Sequence, residues 1–437
     1  MMNNSTKSTN LTPAIAVVIP IYNVVPYLRE CLDSVLSQSY QNFYVALIND
    51  GSTDESLDIA KEYVKKDSRF VLLDKENGGQ SQARNVGIDY FANNLEIGGG
   101  QQANFNPYNI KQIYTYKNLN SSLRDSTITI IPPKVSYLIF LDPDDYWEKD
   151  CLQSCIDAFS KAKKERKNLQ IVWFNEKWYF ENKAHKAPDS TLFEQYYKFC
   201  KNHQKANFDS EFNPKNKAIK GAILTSKQWI EIAKEHKLGW FFVCFGMIDF
   251  DFLKNIRLYF IDNATWEDFG FGVMPFSRID SFFMLDKKLY VYRIRNNSTT
   301  IFESQNTNVP PFLKKLEETF GSAYLARKYH KQASGFKTAL ALGAWLEHCE
   351  NKEVANLVRE YFLKICYGWA LGVFSFKKDP LEIRKSFIKL KPYVKGLKIG
   401  RFSTLKKMMI YSPRFNFVFV WIRRLRNLLD KNYLERL

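Results

Sequence analysis

One pattern occurs three times between residues 14 and 91, and few folds accept it. "AIAVVIP" (14–20) is a short apolar run of β-forming residues. It is followed by "YNVVPYLRECLDSVLSQ", where Pro26 suits a helix first turn and Leu28, Leu32, Val35 and Leu36 recur at helical spacing. "FYVALIND" (43–50) is a second such strand, followed by "GSTDESLDIAKEYVKK" with Ser52 and Glu55 placed as a capping box. "RFVLLDK" (69–75) is a third, leading through a glycine turn into "GGQSQARNVGIDYFANN". Strands that are apolar throughout are buried on both faces, and strands alternating with helices form a parallel, doubly wound α/β sheet. "SYLIFL" (136–141) adds a fourth strand. Ligands in such sheets bind outside the carboxyl ends of the strands. Four polar clusters fall at those ends: Pro20–Asn23, Asn49–Asp54, Asn77–Gln82 and Asp142–Asp145.

With 437 residues the chain is too long for one ordinary core, and two domains are expected. Residues 1–13 read as a disordered polar tail without the apolar stretch of a signal peptide. Residues 14–304 hold the α/β domain. The glycine- and asparagine-rich stretch 92–134 reads as an insertion, partly a loop, that either reshapes the acceptor side or is a surface excursion. From about 305 the pattern becomes helical, giving an α-helical C-terminal region, 305–437. Its end is basic: residues 395–437 hold eleven Lys and Arg against Asp430 and Glu435, within an overall net charge of +17. A basic, aromatic amphipathic segment at 412–437 suits an anionic membrane surface or a packed helix. The charge is not interleaved with a nucleic-acid-binding motif, so no nucleic-acid partner is expected. No apolar run reaches the roughly 20 residues that span a bilayer. The seven cysteines are scattered without zinc spacing, as expected of reduced cytosolic thiols, and the histidines show no ligand spacing.

"IFLDPDD" (139–145) sets three carboxylates within four positions, where they repel one another unless a cation joins them. A hard divalent ion, Mn²⁺ or Mg²⁺, is one explanation, because it takes carboxylate oxygens and shares its other positions with phosphates. A turn is another, with Trp147 starting a helix. Asp50 at the end of its strand would accept an N–H from a base or cap the next helix. Arg84 and the glycine turn offer donors to phosphate.

Together these pieces resemble family 2 glycosyltransferases of the GT-A fold. The motifs run in order: "VVIPIYN" (17–23), "INDGSTDES" (48–56), "ENGGQSQARNVG" (76–87), "IFLDPDDYW" (139–147) and "WEDFGF" (266–271). The resemblance covers residues 14 to 300 and implies inverting transfer from a nucleotide sugar, usually a UDP-sugar, with Mn²⁺ or Mg²⁺. Carried over by position, it puts Pro20 and Tyr22 beside the base, Asp50 on the uracil edge and Arg84 near the nucleotide. It puts Asp142 on the ribose side and at the metal, Asp144 on the metal, and Asp268 as general base with Glu267 beside it. Arg293 and Arg295 in "YRIRNNSTT" (292–300) would approach the diphosphate. The resemblance further implies a glycan or lipid-linked acceptor in surface polysaccharide synthesis, and a cytoplasmic protein peripheral to the inner membrane face. Pro143, where the family commonly has a small polar residue, and the long 92–134 stretch depart from the pattern. Trp173, Trp178 and Trp240 are either sugar-stacking or core aromatics. An Asp-x-Asp phosphotransferase would need Gly-Thr after the pair, where Asp145 and Tyr146 stand. A nucleotide-sugar- or glycan-binding protein that had lost catalysis would have lost Asp144 or Asp268, and both are present.

Overall fold

The computed structural model describes residues 12–95, 108–120, 131–164, 168–181, 188–202, 220–295 and 309–397. The basic segment 412–437, most of the N-terminal tail and the 296–308 stretch around the expected boundary lie outside them. Ten strands form one sheet among the described residues. They are β1 (Ile15–Ile21), β2 (Phe43–Asp50), β3 (Phe70–Lys75), β4 (Ile110–Thr115), β5 (Tyr137–Phe140), β6 (Tyr146–Trp147), β7 (Leu169–Phe180), β8 (Gly221–Thr225), β9 (Gly246–Asp249) and β10 (Ser281–Ile294). The spatial order is β4-β3-β2-β1-β5-β9-β7-β10-β6, with β8 also beside β10. The run β3-β2-β1-β5 is parallel, as the continuous apolar strands require. Beyond β5 the sheet is mixed: β9 runs antiparallel to both β5 and β7, while β7 and β10 are parallel.

The three crossover helices are α1 (Val25–Leu36), α2 (Ser56–Lys66) and α3 (Gln80–Phe91). Pro26 lies in the first turn of α1, and Leu28, Leu32 and Val35 are buried beneath it. The expected capping box at α2 does not form. Glu55 is the cap residue and its side chain makes no capping bond. Ser52 instead accepts from Asn23 N (3.2 Å), and Asp54 Oδ1 accepts from Ser56 N (3.0 Å). Those bonds, with Thr53 N donating to Asn23 Oδ1 at 2.8 Å, tie the loop after β1 to the loop after β2. Helix α3 follows Gly79, whose φ of +86° favours glycine. It lies so close on β1 that a Cβ at Gly87 would come 2.3 Å from Val18 Cγ1.

Two further sequence expectations change, and one left open is resolved. Part of the 92–134 insertion is more than a surface excursion: β4 joins the sheet, pairs antiparallel with β3 and buries Ile110 and Ile113. Trp147 does not start a helix. It belongs to β6 against β10, and the helix begins at Cys151. Trp173 and Trp240 are buried at 1% and 0% exposure, so they are core, whereas Trp178 is exposed.

The C-terminal helices, led by Ala323–Glu347, pack directly on the α/β part, and one hydrophobic cluster runs through both. Aromatic contacts form the seam: Trp229 stacks on Phe362 at 5.3 Å, Phe269 meets Trp369 at 5.0 Å, and Trp266 meets Trp369 at 4.8 Å. All seven cysteines are free and buried. No helix among the described residues is long and apolar enough to cross a membrane.

Candidate active site

The parallel strands end together, and the polar clusters of the sequence gather at that rim. Asp50, the last residue of β2, is 3% exposed and stands opposite Lys75 of β3 in register. Its carboxylate accepts from Lys75 Nζ (2.7 Å), Gly78 N (2.9 Å), Gly79 N (2.8 Å) and Asn77 Nδ2 (3.2 Å). Asp50 therefore shapes the glycine turn that starts α3. It is not the cap of the next helix. Sequence reasoning misses Lys75 as a site residue, although a lysine closing an apolar strand beside a strand ending in Asp is a readable signal. Pro20 is buried within β1 opposite Ile48. Tyr22 follows, partly buried, with its hydroxyl pKa raised by burial and then by Asp50 and Asp54.

The cation among the carboxylates is first an arginine. Arg84 of α3 is 2% exposed, and it bridges two acids far apart in sequence. One terminal nitrogen donates to Asp142 Oδ1 at 2.7 Å, the other to Glu267 Oε1 at 2.8 Å. Burial opposes its charge, but Asp142, Cys244 and Glu267 outweigh this and raise its pKa above the usual value. Gln80 Nε2 also donates to Asp142 Oδ1, at 3.1 Å. Arg84 is thus a buried strut that joins the "DPDD" turn to the "WED" turn. This corrects the expectation of a donor lying open to phosphate.

The other two acids have different partners. Asp144 pairs with Arg295 at 2.7 Å, and burial raises its pKa, opposed by Arg295. Asp145 is 1% exposed and accepts from Tyr290 Oη (2.5 Å) and Arg293 N (2.7 Å). Burial, then Asp144 and Asp142, hold its pKa well above the carboxylate range. The Arg293 guanidinium is 9% exposed. It donates to Asp144 O at 2.9 Å, pairs with Glu30 and lies over the rings of Tyr27, Tyr146 and Tyr179. Its donors are spent inside the protein. Of the two candidate diphosphate contacts, Arg295 is the one whose guanidinium pairs with a carboxylate of the acidic turn.

Glu267 and Asp268 begin the helix Glu267–Phe276. Trp266 caps it in a left-handed conformation, φ 63° and ψ 44°, which is strained for a tryptophan. Asp268 Oδ1 accepts from Phe269 N at 2.9 Å. Burial and the neighbouring Glu267 push its pKa up to about 7, against the opposing pull of Arg84. A carboxyl poised there gains or loses a proton near neutral pH, which suits general-base work.

A hard divalent ion fits Asp142 and Asp144. Both carboxylates belong to one turn at the end of β5, and each keeps one oxygen outside the pairs described above. Asp145 is diverted to Tyr290 and the Arg293 backbone. No three His, Cys, Asp or Glu side chains converge as a closed cage among the described residues. Two carboxylates that share an ion with substrate phosphates need no such cage.

Comparison with known proteins bears on the first strands of this rim. The family model "Glycosyl transferase family 2" matches residues 16–94, which hold β1, β2, β3 and the helices between them. Glycosyltransferase GlyA of Streptococcus pneumoniae is 46% identical over 80 residues, 18% of this chain and 12% of that protein. The uncharacterized glycosyltransferase EpsJ of Bacillus subtilis is 42% identical over 78 residues, 18% of this chain and 23% of that protein. The chain thus spans less than a quarter of these relatives' length. Among solved structures, S. aureus TarS 1-349 in complex with UDP-GlcNAc superposes with a TM-score of 0.53 at 16% identity, over 97% of this chain and 92% of that one. This likeness is one of fold.

Proposed function

For a chain whose residues 16–94 match the family model of glycosyl transferase family 2, we propose inverting transfer of a sugar from a nucleotide sugar to an acceptor hydroxyl. The observation that carries the reading is the Arg84 bridge. One buried guanidinium, at 2.7 and 2.8 Å, holds the donor-side acid Asp142 and the acid pair containing Asp268 at one site. A donor and a base must be neighbours for a single displacement, and the bridge between Asp142 and Glu267 supports that reading.

In this reading Pro20 and Tyr22 border the base of the nucleotide, taken to be uridine, while Asp50, its oxygens filled by four N–H donors, holds the glycine turn rather than the uracil edge. Asp142 and Asp144 anchor Mn²⁺ or Mg²⁺, and Arg295 lies on the diphosphate side. When bound, the cation offsets charge growing on the departing diphosphate. Asp268 takes the proton from the acceptor hydroxyl as that oxygen attacks the anomeric carbon opposite the leaving group, with Glu267 held beside it by Arg84. Base removal of that proton is worth typically about 10²–10⁴-fold in rate.

The acceptor in this reading is a glycan or lipid-linked hydroxyl, and the route is surface polysaccharide synthesis. The basic segment 412–437 supports peripheral attachment to an anionic cytoplasmic membrane face. Deleting it and finding membrane fractionation unchanged would remove that part. The main test is calorimetric titration of UDP with and without Mn²⁺, on wild type and Asp144→Ala. Metal-dependent binding that Asp144→Ala abolishes supports the donor site and opens a screen of UDP-sugars. Absence of nucleotide binding in wild type rejects the reading.

A further inference from the structure

The C-terminal helix Ala323–Glu347 touches the "WED" turn through one polar face. Ser334 Oγ accepts from Thr265 N at 2.9 Å and donates to His330 O at 2.8 Å. His330 Nδ1 lies 2.8 Å from Thr265 Oγ1. Lys331 Nζ sits 3.7 Å from the centre of the Trp266 ring. Lys337 Nζ donates to Asn263 O at 2.9 Å. Residues 330, 331, 334 and 337 recur at helical spacing, so they form one face. His330 is 4% exposed and Ser334 1%, so water does not compete for these bonds.

A face that only packs would be apolar. This one spends its polar atoms on the backbone, hydroxyl and ring of a single turn. That turn needs restraint, because Asn263 (φ 49°) and Trp266 (φ 63°) both hold left-handed conformations. Such conformations persist only where the surroundings over-determine them. Trp369 adds a further contact on the Trp266 ring at 4.8 Å and on Phe269 at 5.0 Å.

We propose that helix Ala323–Glu347 is a positioning element for the transfer. Through Ser334, His330 and Lys331 it fixes the turn 262–268 and so sets where Asp268 meets the acceptor hydroxyl. The proposal rests on Asp268 being the base, and it gives the helical region a part in the reaction. Ser334 and His330 touch no substrate in it. They act through Thr265.

The test uses Thr265→Val, which removes the hydroxyl at nearly constant volume, Ser334→Ala, and Thr265→Ser as the conservative variant. Three quantities are read on the full chain. They are amide hydrogen exchange over 262–270, UDP affinity with Mn²⁺, and turnover of UDP-hexoses and UDP-N-acetylhexosamines by UDP release to water. Thr265→Val and Ser334→Ala should exchange faster at the turn and lose about 10- to 100-fold in kcat, the scale of a misplacement of about 1 Å. UDP affinity and donor KM should stay within about twofold, the phosphate side being separately held. Thr265→Ser should recover both exchange and kcat. Unchanged exchange, or faster exchange with unchanged kcat, overturns the positioning role. A parallel fall in kcat and UDP affinity, with a lower Tm, also overturns it by showing general loss of structure. Asp268→Asn separates the two readings. Turnover surviving that change rejects the base, whereas loss there with full activity in Thr265→Val rejects only the positioning role.

Discussion

Replacing Asp268 by Asn should make the protein more stable and far less active, by amounts that depend on pH. Asparagine keeps the oxygen that accepts from Phe269 N but never carries charge. Burial and Glu267 raise the Asp268 pKa to about 7 in the folded chain. The unfolded value is about 3.9, and each pH unit of difference is worth about 1.4 kcal/mol, so the full effect is about 4 kcal/mol. Because Asp268 shares its field with Glu267, about 4 kcal/mol is the upper figure. The folded pKa lies above the unfolded one, so the folded state binds the proton more tightly. Wild type therefore keeps this contribution below about pH 4 and loses it as pH rises through about 7. The stability gain of Asp268→Asn over wild type should be near zero at pH 4 and level off above pH 7 at no more than about 4 kcal/mol. Thermal unfolding of both proteins across that range, in chelator, measures it. Wild-type turnover should rise through about pH 7 as the base ionises, and Asp268→Asn should cost about 10²–10⁴-fold. A stability difference that is flat with pH would refute the claim that burial presses on this carboxyl.

Three further outcomes follow from the same contacts. Arg84→Met strips the shared cation from Asp142 and Glu267, and should cost about 3 kcal/mol, the low end for a buried pair because both acids keep some solvent. It should also move the acid limb of the pH–rate profile upward, since Arg84 lowers the Asp268 pKa; urea unfolding and the profile together check this. Lys75→Met should cost about 3–5 kcal/mol by urea unfolding, because it leaves Asp50 buried without its cation. Gly87→Ala should destabilise by about 1–3 kcal/mol despite better helix propensity, because its Cβ would collide with Val18, and adding Val18→Ala should recover part of the loss.

The sheet's parallel half was legible because β1, β2 and β3 are buried on both faces and therefore apolar without interruption. The acids at the strand ends were legible for the same reason, as charges that an apolar strand would not otherwise carry. β4 was not, since "IKQIYT" at the sheet edge buries only Ile110 and Ile113. β6 is two residues long, below any periodicity. Partnerships were the least visible part. Arg84 and Glu267 are 183 positions apart. Nothing local marks Arg84 as a strut, or shows that Arg293 is taken up by Glu30 and three tyrosines. Residue types announce charge, but only the fold decides whether a charge faces substrate or another residue.

The seam of tryptophans and phenylalanines between the sheet and the C-terminal helices bears on cooperativity. Trp229, Phe269 and Phe362 belong to one continuous buried cluster that crosses the expected boundary near 305. Elements that share a core melt together, whereas units joined by a linker melt one by one. Calorimetry on the chain should show a single endotherm. Cutting the chain at residue 305 should yield a sticky, partly unfolded fragment that exposes half of an aromatic core.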